Sequence, residues 1–328
     1  MQENCCEKRE ALIVVIRANS RLQMITATAA LSEFIDAAEN EIEEIIVVSS
    51  APNKIPPDLA GFEGVLSEIA PVQFLHIGHM GKKLKALPKK RRILSISSSL
   101  FPHDVVFFGL KNGVVPQLIA TEEGIGTYRG LRGRIHLLWV SPSIRRFRDI
   151  VTCIISAAAA PIFKQRNRRL LCKNGAPDPS FNFWMKAVIK KLVGSLDDDF
   201  HKKISEAQLD IIIAAPLDPK ELINYTNECI GKSILVKKHP HFGIDDLNLA
   251  PIREVAGEVV VYTGALSIEE LCVLSGVPKL LATNSSSLIY ASLVAKVDAV
   301  NITNAPSKFW GRKDLFKIYS RRFYDSRP

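Results

Sequence analysis

Ser233-Ile234-Leu235-Val236-Lys237-Lys238-His239-Pro240-His241 is a short aliphatic run that ends in two lysines, a histidine and a proline. A run this brief, bounded by breakers, reads as a buried strand. Pro240 lacks the N–H that a ladder needs, so the strand stops before it. His239 then sits at the carboxyl end of a strand, the edge where open α/β sheets take their ligands. Imidazole there can donate a hydrogen bond to an anion and can carry a proton near neutral pH. The plainer reading is a loop histidine ahead of a turn proline.

The same grammar extends in both directions. Toward the C-terminus, residues 259–262, 279–283 and 298–302 are aliphatic strands, with helical stretches at 266–275 and 286–296. Toward the N-terminus, 210–216 is a strand and 218–229 a helix. Earlier strands are expected at 11–16, 44–49, 71–77, 92–97, 104–108 and 118–121, with a helix over 24–38. From 139 to 193 the pattern is helical and basic. Residues 195–208 open polar and acidic, as a linker would. Alternating strands and helices in both halves predict an α/β protein of two Rossmann-like, doubly wound domains facing a central cleft. The division expected is 1–205, with 195–208 as the linker, and 209–328, the last helix packing back on the first domain.

The chain has 328 residues, 47% hydrophobic and 23% charged, enough for two cores. Its formal net charge of +9 points to anionic partners. The six cysteines form no C-x-x-C pair, which signals neither a zinc site nor a disulfide framework. Met1-Gln2-Glu3 does not open a secretory signal, so a cytoplasmic protein is expected. No apolar run reaches the roughly 18 residues of a membrane span, and the apolar piece 150–163 reads as a buried helix. Lys82, Lys83, Lys85, Lys89, Lys90, Arg91 and Arg92 form a basic cluster, either a solvated face or a contact for anionic lipid headgroups. No aromatic residue interleaves it, which disfavours nucleic acid as partner.

Two more stations fall at expected strand ends. Glu122-Glu123-Gly124 follows the strand at 118–121. A carboxylate there can act as general base, and Gly124 lets a substrate approach; a solvated acidic turn explains the residues equally. Asn284-Ser285-Ser286-Ser287 joins a strand to a helix. Its serines can cap that helix, and a capped N-terminus can still hold a phosphate. Glu269 and Glu270 open the preceding helix, where acidic residues are favoured by the dipole and where one can bind ribose hydroxyls.

Taken in order, Glu122-Glu123-Gly124, His239-Pro240 and Ser285-Ser286-Ser287 resemble the acidic-acidic-Gly, His-Pro and Ser-Ser/Ser-Thr motifs of the bacterial sialyltransferases and polysialyltransferases. Asn19-Ser20-Arg21-Leu22-Gln23 looks like that family's Asn-Ser-Pro-Leu-Gln loop, with Arg21 in place of proline. The resemblance spans residues 11 to about 302. It implies a GT-B architecture and an inverting transfer from CMP-sialic acid to a hydroxyl of an acceptor glycan, of glycolipid, lipooligosaccharide or capsule type. It implies no cofactor and no metal. Glu122, or less favoured Glu123, would be the base, and His239 the group that meets the leaving phosphate. Gly124, Lys237, Pro240, Glu269, Ser285, Ser286 and Ser287 would face the donor. Asn19, Ser20 and Gln23 would form a loop on the acceptor side. A lipid-linked acceptor would place the enzyme peripherally on the inner face of the cytoplasmic membrane, against its anionic surface. Two other readings fit the same residues: a GT-B transferase with a different nucleotide sugar, and a non-catalytic basic protein that binds nucleic acid or membrane.

Overall fold

A computed structural model of the chain describes residues 11–37, 41–49, 59, 61–87, 91–98, 103–111, 113–122, 134–135, 138–139, 142–163, 165–172, 175–196, 199–215, 219–238, 248–283, 285–302 and 318–323. These fall into two compact units, the first closing at Arg169 and the second resuming at Leu170.

In the first unit the strands are β1 (Leu12–Arg17), β2 (Ile42–Ser49), β3 (Val72–His76), β4 (Arg92–Ser97), β5 (Gln117–Ala120) and β6 (Arg166–Asn167). Its helices are α1 (Arg21–Ala37), α2 (Phe62–Ser67), α3 (Ile77–Ala86), α4 (His103–Lys111) and α5 (Ile144–Ala159). The sheet order is β3-β2-β1-β4-β5-β6 and every pairing is parallel. β1 lies between β2 and β4, and Leu12 to Ile16 are all buried. That is why the run is aliphatic without alternation: a parallel strand covered by helices on both faces has no polar side.

The second unit repeats the winding. Its strands are β7 (Ile211–Ala214), β8 (Ser233–Lys237), β9 (Glu258–Tyr262), β10 (Lys279–Ala282), β11 (Asp298–Ile302) and β12 (Arg321–Phe323). Its helices are α6 (Pro179–Gly194), α7 (Asp199–Glu206), α8 (Thr226–Cys229), α9 (Ala250–Arg253), α10 (Ile268–Ser275) and α11 (Ser286–Val294), with a 3-10 turn at Pro219–Tyr225 ahead of α8. The order β12-β11-β10-β7-β8-β9 is again wholly parallel. Counted from each unit's first strand, both sheets run 3-2-1-4-5-6. The winding reverses between β1 and β4 in one and between β7 and β10 in the other, and a ligand crevice opens at such a reversal.

Five expectations are corrected. Residues 104–108 are not a strand but lie inside α4, and β5 is the strand that pairs with β4. Four successive apolar residues do not distinguish the two periods, and here Val105 and Val106 are buried while Phe107 is exposed. The acidic piece taken for a linker contains α7, held down by buried Ile204. The division also differs from the one drawn at 205, because α6 and α7 belong with the second unit. Asn182 of α6 donates through Nδ2 to the Leu293 carbonyl of α11 at 3.3 Å. The described part of the tail opens with helical Ile318 and Tyr319 and runs on into a strand, β12, that pairs with β11 of the second sheet, and Tyr319 donates to the Gly175 carbonyl at 2.6 Å. The apolar helix over 150–163 is α5, and much of its apolar surface is exposed rather than buried.

Ile213 lies in the middle of the second sheet, wholly buried among Tyr225, Val236 and Leu281. Ile213→Ala is expected to cost about 2–5 kcal/mol, the range for emptying a packed aliphatic site. Urea unfolding reads this as a lower midpoint at unchanged slope; a loss under about 1 kcal/mol would contradict so central a place.

Candidate functional site

The reversal between β7 and β10 is where the second unit gathers its chemistry. β10 ends at Ala282, and Thr283 follows. Thr283 donates through Oγ1 to the Ile302 carbonyl at the end of β11, 2.8 Å away. The Tyr225 hydroxyl lies 2.6 Å from the same Oγ1. A threonine hydroxyl has one hydrogen, and Ile302 takes it, so Tyr225 is the donor of that pair. Burial pushes the Tyr225 phenol well above its ordinary value, which keeps it protonated and donating. The relay fixes the start of the turn that leads into α11.

Ser285 is the N-cap of α11, its side chain accepting from the Ser287 N–H at 3.3 Å. No acidic residue occupies the first turn of α11, and Ser286 and Ser287 are half-buried. A helix N-terminus with hydroxyls beside it and no carboxylate of its own in that turn attracts an anion.

Glu269 sits beside this terminus. At the start of α10, Ser267 and Glu270 form a reciprocal capping box: Glu270 Oε2 accepts from the Ser267 N–H at 2.8 Å, and Ser267 Oγ accepts from the Glu270 N–H at 3.2 Å. Glu270 is thereby spent on the helix end, and Glu269 is left to turn toward α11. Glu269 is 2% exposed. Its Oε1 has no hydrogen-bond partner among the described residues. Desolvation raises its carboxyl above the ordinary range; bonds from its own backbone, Ser287 and Ser267 work against that, and the charge of Glu270 adds to it. A buried oxygen without a partner is costly, and a ligand hydroxyl would relieve it.

Lys237 ends β8 as expected, but its ammonium is engaged locally. It lies over the Tyr262 ring, 5.0 Å from the centroid, and reaches the Gly264 carbonyl at 3.4 Å. His239 and Pro240, which follow it, lie outside the described residues, as do Glu123, Gly124 and Asn284.

In the first unit, Glu122 follows β5 and is fully buried. Its carbonyl accepts from Thr26 Oγ1 at 3.3 Å, a hydroxyl that also lies 3.0 Å from the Gln23 carbonyl. Ser20 Oγ accepts from the Gln23 N–H at 3.4 Å, and Gln23 Oε1 accepts from the Asn19 N–H at 2.6 Å. The stretch expected on the acceptor side thus also caps the start of α1, through Ser20 Oγ and Gln23 Oε1. Asn19 is exposed at the tip. Sequence reading missed Tyr225 and Thr283, whose pairing across 58 residues leaves no local signal. Among the described residues, no group of three or more His, Cys, Asp or Glu is placed to hold a metal ion.

No protein-family model matches the chain, and no curated protein does. Solved structures do. A Phytolacca americana glycosyltransferase, UGT2, complexed with UDP-2-fluoro-glucose and pterostilbene, aligns over 97% of this chain and 86% of its own, with a TM-score of 0.54 and 9% identity. TcCGT1 in complex with UDP aligns over 96% and 86%, at 0.55 and 8%. A UDP-N-acetylglucosamine 2-epimerase from Listeria monocytogenes, described as putative, aligns over 91% and 81%, at 0.51 and 10%. At such identities the likeness is one of fold: the chain has the expected α/β class, of GT-B type with two Rossmann-like domains. That fold serves epimerisation as well as transfer, so chemistry must be argued from the site.

Glu269 gives a signed pH test. Its folded-state pKa is raised, so the folded protein holds a proton that the unfolded chain loses above its ordinary value of about 4.3. Its contribution to stability is therefore full below that pH and is lost as pH rises through the raised value. Glu269→Gln keeps the shape and removes the titration. The variant's thermal midpoint is expected to match the parent's in acid and to exceed it increasingly toward neutral pH. A difference that does not change with pH would contradict the burial of this acid.

Proposed function

We propose that the chain is a glycosyltransferase that moves a sugar from a nucleotide donor to a hydroxyl of an acceptor glycan, with the donor phosphate seated on the first turn of α11. One observation carries this: a capped helix N-terminus with two half-buried serine hydroxyls stands beside a buried carboxyl with an unpartnered oxygen, at the winding reversal of a Rossmann-like sheet. Phosphate suits the helix terminus. The ribose suits the acid, since a sugar hydroxyl can donate to Glu269 Oε1.

For the donor we propose CMP-sialic acid, supported by the order of the three motifs Glu122-Glu123-Gly124, His239-Pro240 and Ser285-Ser286-Ser287. The acceptor oxygen attacks the anomeric carbon. The bond from that carbon to the phosphate oxygen breaks, and its electron pair leaves on CMP. The acceptor proton passes to Glu122 or Glu123. Attack opposite the leaving group inverts the centre. His239 donates to the departing phosphate, and Ser286 and Ser287 hold the same charge with fixed dipoles. No step calls on a metal. A UDP-sugar donor is the second reading, favoured by the UDP and UDP-sugar complexes among the similar structures. The partners implied are the nucleotide sugar and an acceptor glycan, lipid-linked or free.

Calorimetric titration of the purified protein with CMP, UDP and ADP in the presence of EDTA tests this. CMP is expected to bind selectively and to weaken on Ser286→Ala. With CMP-sialic acid and an acceptor, His239→Ala and Ser286→Ala are each expected to lower kcat by about 10²–10³, as lost transition-state donors do. Selective UDP binding would replace the donor and keep the transferase. Absence of binding by all three nucleotides, or full turnover in His239→Ala, would overturn the corresponding assignment.

A further inference from the structure

Helix α5 is amphipathic in the wrong direction for a core helix. A helix of a globular protein ordinarily turns its apolar stripe inward. In α5, Ile150 is 9% exposed, whereas Ile144 is 83%, Phe147 58% and Ile154 53% exposed, and Val151 and Ile155 are exposed as well. At 100° per residue these five exposed residues and Arg148 share an arc of about 120°. The result is a continuous apolar stripe along a 16-residue helix, facing solvent, with an exposed arginine near its first turn. Contiguous exposed apolar surface on this scale marks a contact site.

Charge says what kind. Residues 129–169 contain ten Lys and Arg against a single acid, Asp149. This segment alone carries the whole formal charge of +9, and the rest of the chain balances at 33 basic against 33 acidic residues. The cluster at 82–92, the other candidate for a basic surface, is partly neutralised where it is described: Lys83 pairs with Glu44 at 2.6 Å and Arg91 with Glu43 at 3.3 Å. In the segment around α5, Arg168 is paired to Glu33 at 2.6 Å.

We propose that the α5 stripe docks the protein on an anionic lipid bilayer, lying in the plane of the headgroups with Ile144, Phe147, Val151, Ile154 and Ile155 toward the acyl chains. The chemistry matches on both counts: aliphatic and aromatic side chains insert, and arginines beside them meet lipid phosphate. The helix is too short to cross a bilayer, and no described helix is long and apolar enough to do so. A second copy of the chain is a poor occupant, because a two-fold contact through this stripe would bring two +9 segments together. Nucleic acid would leave the aliphatic stripe uncovered. The inference stands independently of the donor proposed above.

The test is co-sedimentation of the full chain with phosphatidylcholine vesicles, with and without phosphatidylglycerol. Binding is expected to the anionic vesicles and to fall steeply with salt. Phe147→Gln and Ile154→Gln, at exposed positions, are each expected to weaken it by at least about tenfold. Arg148→Gln is expected to weaken it about fivefold and to flatten the salt dependence. Both apolar variants are expected to keep the parent's thermal midpoint and its nucleotide affinity by calorimetry, which separates this surface from the donor site. Four results would overturn the proposal: equal binding to vesicles without phosphatidylglycerol, binding that Ile154→Gln leaves intact, a loss on Lys82→Gln equal to that on Arg148→Gln, or a light-scattering dimer that Ile154→Gln dissolves.

Discussion

Parallel strands can be joined only by a segment that crosses a face of their sheet, and every strand pairing described here is parallel. Much of the molecule follows from that constraint. Both faces of each sheet are covered, so the inner residues of β1, β7, β8 and β10 are aliphatic and buried, and β4 buries Ser95 and Ser97 along with its aliphatic residues. Every connection delivers the chain to the same edge. Where the winding reverses, two successive crossovers leave on opposite faces and open a gap at that edge. Thr283, Ser285, Ser286 and Ser287 stand at that gap in the second unit because β10 pairs with β7 there.

The polar groups around the gap divide into those that build it and those left over. Ser267 and Glu270 close one helix end, Ser285 caps another, and Tyr225 with Thr283 ties the turn to β11. Lys237 is held against Tyr262, and a Cβ on Gly264 would collide with the Tyr262 hydroxyl, so that corner admits little change. Left over at this gap, among the described residues, are one carboxyl oxygen of Glu269 and the N-terminal face of α11.

Much of this was legible in the chain itself. The aliphatic runs at 11–16 and 210–216 and the one ahead of His239 read as strands and are β1, β7 and β8 to within a residue or two at their ends, because double burial leaves a compositional mark that needs no partner to be seen. Glu269 and the three serines were singled out from position at helix starts, where capping and ligand binding draw on the same residue types. What escaped depends on distant partners. Residues 104–108 have a strand's composition, and only the pairing of β4 with β5 shows that they are surplus to the sheet. The acidic stretch near 199 looks like a linker because one buried isoleucine is a small signal among charges. The orientation of α5 is not legible for a related reason: apolar content does not show burial, and periodicity says only that a helix has two faces. Ser20 and Gln23 matched a functional motif while serving as a cap, since both uses put a hydroxyl and an amide at a helix entrance.

The strand order has a consequence for how the chain comes into being. β1 can pair with β2 as soon as residue 49 is made, but its other neighbour is β4, and Leu12 finds its partner Arg92 only across a separation of about eighty residues. β7 likewise waits for β10 after gaining β8. During synthesis each half therefore passes through a stage in which its most aliphatic strand has one edge open. The reversal that makes the crevice is also a seam that stays open until β4 or β10 is made, and a nascent chain stalled between β2 and β4 would offer that seam to whatever strand or chaperone reached it first.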